Sequence, residues 1–214
     1  MGIRVAFFDC DGTLTRVKSS WEYLHRRLNI WDDKADQYQA QFRRGEITYH
    51  EFCRRDALLW RGLPVSRVAK ILRGVPYQPG SRETIRALRE RGVITVILST
   101  GLSLLVDRVK KELGFDMALS NEVLSEDGCL TGEIRIGVDY EKKGQLVQKI
   151  LADIRVAKAE ACAVGDGEGD VGMFEAVGFA IGFQPHESLV RVLHGAIHHG
   201  SLLELLPMIE NHEG

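Results

Sequence analysis

Asp9 and Asp11 stand two residues apart at the end of a short run, residues 3–8, that is apolar except for Arg4, and are followed by Gly12 and Thr13. In an extended segment, residues two apart face the same side, so the two carboxylates share one. One carboxylate can attack as a nucleophile. The other can protonate a leaving oxygen and later activate water. Gly12 lets the backbone turn sharply and bring N–H groups toward an anion. A second acidic, glycine-bearing stretch is Gly165-Asp166-Gly167-Glu168-Gly169-Asp170, and a polar one is Ser99-Thr100-Gly101.

The elements that position these stretches follow from the pattern around them. Each stretch closes a short, mostly apolar run, at residues 3–8, 93–98 and 161–164, which reads as a buried strand. Between the runs lie helical periods, at 80–92, 104–113, 145–154, around Met173 and at 202–209. Brief strands are expected at 117–119 and 179–181, and Asp127-Gly128 marks a β-hairpin. Strands alternating with helices imply an α/β fold, a Rossmann-like parallel sheet with helices on both faces. Ligands of such sheets bind beyond the carboxyl ends of the strands. Asp9, Asp11, Thr13, Ser99, Thr100, Asp166 and Asp170 are therefore expected to converge.

Residues 15–78 differ from this alternation. Ser19 with Glu22, and Thr48 with Glu51, form capping boxes ahead of helical apolar periods, Gly62-Leu63-Pro64 stops a helix, and another is expected over 65–72. The division is a core of 1–14 and 79–214 carrying a small helical cap of 15–78.

Several carboxylates at one sheet edge repel. Two unit charges about 4 Å apart cost roughly 4 kcal/mol at an effective dielectric near 20, so a cation must offset them. All-oxygen ligands without His or Cys favour magnesium, which takes one or two carboxylates together with waters and a substrate phosphate. Phosphoryl chemistry follows. The hydrolysis of a phosphomonoester is slow enough unaided to reward an acyl-phosphate intermediate.

The whole chain allows this reading. It has 214 residues, 44% of them hydrophobic, and a net charge of −2, enough for one sizeable core and without the basic excess of a nucleic-acid binder. No run reaches the roughly 18 apolar residues of a membrane span, and the opening apolar run is too short for a signal peptide, so a cytoplasmic location is expected. Four cysteines, Cys10, Cys53, Cys129 and Cys162, form no CxxC pair and read as reduced thiols, with Cys10 facing away from Asp9. His194, His198, His199 and His212 lie away from the acidic stretches. Trp21, Trp31 and Trp60 read as cap packing, with Trp21 and Trp60 also candidates for the pocket wall.

Asp9-Cys10-Asp11-Gly12-Thr13-Leu14 resembles the first motif of haloacid dehalogenase (HAD) superfamily phosphatases, and Val96-Ile97-Leu98-Ser99-Thr100-Gly101 the second. Lys143 resembles the third-motif lysine, and the stretch 165–170 the fourth. Lys142-Lys143-Gly144-Gln145-Leu146, and Val164 to Gly167 followed by Met173-Phe174, are similar to the phosphoserine phosphatases in wording. The resemblance covers nearly the whole chain and implies a HAD core with a C1-type helical cap. It implies Asp9 as nucleophile and magnesium ligand, and Asp11 as general acid/base that binds the metal through its carbonyl. It makes Asp166 and Asp170 the rest of the metal site. Phosphate would be held by Gly12, Thr13, Ser99, Thr100, Gly101 and Lys143. The expected partner is a small phosphomonoester. A homodimer stays open, as does transfer of the phosphoryl group to an acceptor other than water.

Lys18 and Asp56 depart from that pattern. Phosphoserine phosphatases grip the serine part with a Glu after the first motif and an Arg in the cap, and the matching positions here carry the inverted charges Lys18 and Asp56. Gly169 also replaces an Asn. The expectation is a phosphatase with altered substrate recognition, the alternative a true phosphoserine phosphatase.

Overall fold

A computed structural model describes residues 2–30 and 33–213; Trp31 lies outside them. Strand β1 (Val5–Phe8) runs through the middle of the molecule. Ala6 and Phe8 join one hydrophobic cluster and Val5 and Phe7 another, all four fully buried. A strand covered on both faces needs an unbroken apolar run, which is why residues 5–8 do not alternate.

Strands β2 (Ile94–Leu102) and β5 (Ala161–Gly165) pair in parallel on either side of β1. The sheet continues through β3 (Met117–Glu126) to β4 (Cys129–Arg135) on one side and through β6 (Phe179–Phe183) to β7 (Gly195–Ile197) on the other. Among the strand pairs of the described residues, only β3–β4 is antiparallel. The three strands ending in polar stretches are thus neighbours, and their carboxyl ends form one edge.

Helices α1 (Ser20–Leu28), α2 (Asp33–Arg43), α3 (Tyr49–Leu58) and α4 (Val65–Arg73) form the insert after β1. Ser19 and Thr48 cap α1 and α3, accepting from the N–H groups of Glu22 and Glu51. Helices α5 (Ser81–Glu90), α6 (Ser103–Leu113) and α9 (Leu205–Glu213) cover one face of the sheet. Helices α7 (Lys143–Ile154) and α8 (Val171–Glu175) cover the other.

Several expected boundaries shift. Strand β2 runs on through Ser99-Thr100-Gly101 to Leu102, with its register to β3 broken between Leu98 and Leu102. Ser99 is therefore not a cap for α6, which starts at Ser103. Strand β3 is much longer than 117–119, because beyond its parallel part it finds a second partner in β4. Asp127 and Gly128 turn that hairpin with φ of 49° and 77°, as its two-residue form demands. Strand β7 is too short, and α2 too polar, to announce themselves by period.

Candidate active site

Asp9 follows β1 directly, and its N–H donates to the Val164 carbonyl at 2.9 Å, carrying the sheet bonding one residue past the strand. Lys143, the first residue of α7, is 2% exposed. Its Nζ donates to Asp9 Oδ1 at 2.6 Å and to Asp170 Oδ1 at 2.7 Å. Asp170 Oδ2 accepts from the backbone N–H groups of Asp166 and Gly167 at 3.0 and 3.1 Å, which folds the 165–170 loop around its own carboxylate. Thr13 Oγ1 donates to Asp166 Oδ1 at 3.1 Å, and Lys18 Nζ to Asp166 Oδ2 at 2.7 Å. Residues from β1, β5, α7 and the start of the insert thus meet at one point.

Asp11 reaches toward the insert. Its Oδ2 accepts from the Ser20 N–H, at the start of α1, at 2.6 Å. Its Oδ1 is buried without a hydrogen-bond partner among the described residues. Ser99 is fully buried, and its Oγ accepts from the Gly101 N–H at 3.0 Å.

Two glycines allow this crowding. Gly12 has φ +87°, and a Cβ there would collide with the Asp166 carboxylate. A Cβ on Gly101 would lie 2.8 Å from both Asp11 Oδ2 and Ser20 Oγ. Either substitution would push apart the residues that the strand ends bring together. Beside the loop, the Tyr140 ring fills the space next to Gly169, with Cε2 2.8 Å from where a Cβ would be. A side chain such as Asn at 169 would displace that ring.

Burial governs the titration of the site. It pushes the Asp9 carboxyl well above its ordinary range, against the pull of the Lys143 charge. It raises Asp166 as well, and it pushes Asp11 up to about 6 against the hydrogen bonds from Ser20. Burial pulls the Lys143 ammonium down, but the Asp170 and Asp9 carboxylates outweigh it and the group stays charged. The Cys10 thiol is pushed well above its ordinary value by burial and by the Asp11 and Asp9 charges, so it is a poor nucleophile. Its side chain belongs to the hydrophobic core.

The residues fit a divalent cation. Ligand atoms of Asp9, Asp166 and Asp170 lie within 4.8 Å of one another, and all three residues are buried. With Asp11, four carboxylates face only two ammonium groups, and one buried carboxylate oxygen is unpartnered. A hard, all-oxygen donor set suits magnesium.

Two candidates lie differently from the rest. Thr100 engages its surroundings through its carbonyl, which accepts from Trp21, Tyr49 and Asn121. Asp56 is 3% exposed inside the insert, with Oδ2 3.9 Å from His25 Nε2 and Oδ1 without a hydrogen-bond partner among the described residues. Burial pushes its carboxyl up to about 7. Its ionic neighbour is His25, while Lys18 lies on Asp166. Sequence reasoning missed Ser20, whose place just after the Ser19 cap gave a usable signal. It also missed Tyr49 and Asn121, which gave none.

Residues 6–175 match the haloacid dehalogenase-like hydrolase family. The chain belongs to that family. It is 32% identical over 208 residues to a phosphoserine phosphatase of Archaeoglobus fulgidus, covering 97% of this chain but only 60% of that protein's length. It is 28% identical to the phosphoserine phosphatase of Methanocaldococcus jannaschii, over 97% of this chain and 98% of the relative. A solved structure of a substrate-bound phosphoserine phosphatase complex superimposes with a TM-score of 0.85 at 25% identity, over 97% of this chain and 99% of that one. Within the family the chain is therefore phosphoserine phosphatase-like. No helix among its described residues is long and apolar enough to cross a membrane.

Proposed function

We propose that this family member is a magnesium-dependent phosphatase of small phosphomonoesters, working through a phosphoaspartate at Asp9. The observation that carries the reading is the joint hold of Lys143 on Asp9 and Asp170, at 2.6 and 2.7 Å, beside Asp166 and Asp11. An Asp9 carboxylate oxygen attacks phosphorus, and the bond from phosphorus to the leaving oxygen breaks. Asp11, with its raised proton affinity, gives that oxygen a proton. Asp11 then takes a proton from water, which attacks phosphorus and frees Asp9 and phosphate. Lys143 offsets charge on Asp9 and the phosphoryl group, while Ser99 and the backbone at Gly12, Thr13, Thr100 and Gly101 hold phosphate oxygens. Magnesium, held by Asp9, Asp166, Asp170 and the Asp11 carbonyl, would supply charge stabilisation to the transferring group. Residues 15–78 act as the cap over a core of 1–14 and 79–214.

Substrate recognition is the part in which this chain differs from the phosphoserine phosphatases it resembles. Lys18 presents a cation at the carboxylate edge, its side chain 61% exposed. Asp56 is enclosed with His25. Neither supplies the acid at 18 or the cation at 56 that would grip a free amino acid. Phosphoserine itself is the second reading, favoured by the names of the relatives. Phosphate release from a panel of phosphomonoesters with magnesium, phosphoserine included, separates the two. Release from several esters with no advantage for phosphoserine is expected. A clear preference for phosphoserine would overturn the altered-recognition reading, and no release from any ester would overturn the phosphatase.

A further inference from the structure

The Thr100 carbonyl, at the end of β2, collects three hydrogen bonds from three elements. Trp21 Nε1 on α1 donates at 3.0 Å, Tyr49 Oη on α3 at 3.1 Å and Asn121 Nδ2 on β3 at 3.0 Å. Asn121 is fully buried and fully used. Its Nδ2 also donates to Tyr49 Oη at 2.7 Å, and its Oδ1 accepts from the Gly137 and Val138 N–H groups at 3.0 Å each. Two donors belong to the helical insert and one to the sheet, so a single acceptor ties the two regions together.

The peptide that carries this carbonyl also carries the Gly101 N–H. A trans peptide is planar, with its C=O and N–H pointing opposite ways. Fixing the carbonyl toward the insert therefore aims the Gly101 N–H away from it, to the side where it meets Ser99 Oγ at 3.0 Å. A side chain at Gly101 would run into Asp11 Oδ2 and Ser20 Oγ, so the strand end lies close against both. The insert thus holds the strand end that faces the phosphoryl group.

We infer that Trp21, Tyr49 and Asn121 are positioning residues: through the Thr100 carbonyl they set the Thr100–Gly101 peptide for phosphate binding, so that docking of the insert assembles the anion site. This rests on the phosphatase reading above. Buried, mutually satisfied donors of this kind hold a geometry more firmly than their separate bonds suggest. Trp60 supplies the comparison. It packs against Trp21 with centroids 5.2 Å apart and is fully buried, yet its Nε1 has no hydrogen-bond partner among the described residues.

The experiment compares Trp21→Phe, Tyr49→Phe and Trp60→Phe in the full chain. It measures inhibition by inorganic phosphate and by vanadate alongside KM, kcat and melting temperature. Trp21→Phe and Tyr49→Phe are expected to raise both inhibition constants at least fivefold, while Trp60→Phe leaves them within twofold whatever its melting temperature. Because the first two share one acceptor, their combined effect should fall short of the product of the single ones. An active wild type whose Trp21 and Tyr49 variants bind phosphate and vanadate unchanged would overturn the positioning role alone. Weakening by Trp60→Phe equal to that by Trp21→Phe would also overturn it, since loosened packing would then suffice. A wild type that releases no phosphate would overturn the phosphatase reading and this inference with it.

Discussion

The strand-end site and the interior of the helical insert both bury charge, and they treat it in opposite ways. At the strand ends, Lys143 is shared between Asp9 and Asp170, backbone N–H groups satisfy Asp170, and Thr13 and Lys18 hold Asp166. In the insert, Asp56 lies 3.9 Å from His25 with one oxygen unpartnered, and the Trp60 indole N–H has no partner among the described residues. Burial raises the proton affinity of carboxylates in both places, but at the strand ends lysine charges and hydrogen bonds pull against it, whereas at Asp56 burial acts alone. On the proposed mechanism the polar groups at the strand ends are arranged around a reaction, whereas Asp56 is enclosed within the insert.

The largest expected difference comes from the strand ends. Asp9→Asn should lower turnover by at least about a thousandfold, since an amide is a poor nucleophile. Its fold should stay intact, because the amide oxygen can still accept the hydrogen bond from Lys143. Steady-state kinetics beside a thermal melt checks both halves, and substantial residual turnover would break the covalent role of Asp9. Stripping divalent ions with EDTA should abolish activity, with magnesium restoring it and calcium doing so poorly because of its looser coordination. Full activity with calcium alone would count against a site built for a small, octahedral ion.

Lys143→Met should lose activity and also stability. Removing one partner of a buried pair costs about 3–5 kcal/mol, or roughly 10 °C of melting temperature for a chain of this size. A variant that melts like the wild type would show that the Asp9–Lys143–Asp170 group is less tightly coupled than its distances imply.

The smallest effect belongs to the insert. The folded protein holds a proton on Asp56 up to about pH 7, whereas the unfolded chain releases it near pH 4. Between those values the native state binds more protons than the unfolded one, so this group makes stability fall as pH rises through the window. Asp56→Asn should remove that fall. Melts at pH 5 and pH 8 should show a smaller drop in the variant than in the wild type, and an equal drop would place the sensitivity elsewhere.

The strand-end site was legible in the sequence because its elements are short, apolar and closed by residues of distinct chemistry. Asp9, Ser99 and Asp166 each follow a buried run, and adjacency of β1, β2 and β5 brings them together. Lys143 came only through resemblance, since a lysine opening a helix reads as a surface residue until the fold buries it. The insert was legible only where a local signal existed, in the capping residues Ser19 and Thr48. Tyr49 and Asn121 carry no local mark, because their shared partner, Thr100, lies 51 and 21 residues away along the chain. Helix α2 is polar along most of its length, and strand β7 has three residues, so neither displays a period that a pattern can find.

The most direct test of the central claim is to catch the covalent enzyme. Turnover of a good phosphomonoester in magnesium is quenched in acid, the protein is reduced with borohydride, and the peptide containing residue 9 is weighed. A phosphorylated aspartate is converted to homoserine by this treatment, and the account predicts that conversion at Asp9 and not at Asp11 or Asp166. Sustained phosphate release with Asp9 left as aspartate, or with the label at another carboxylate, would contradict it.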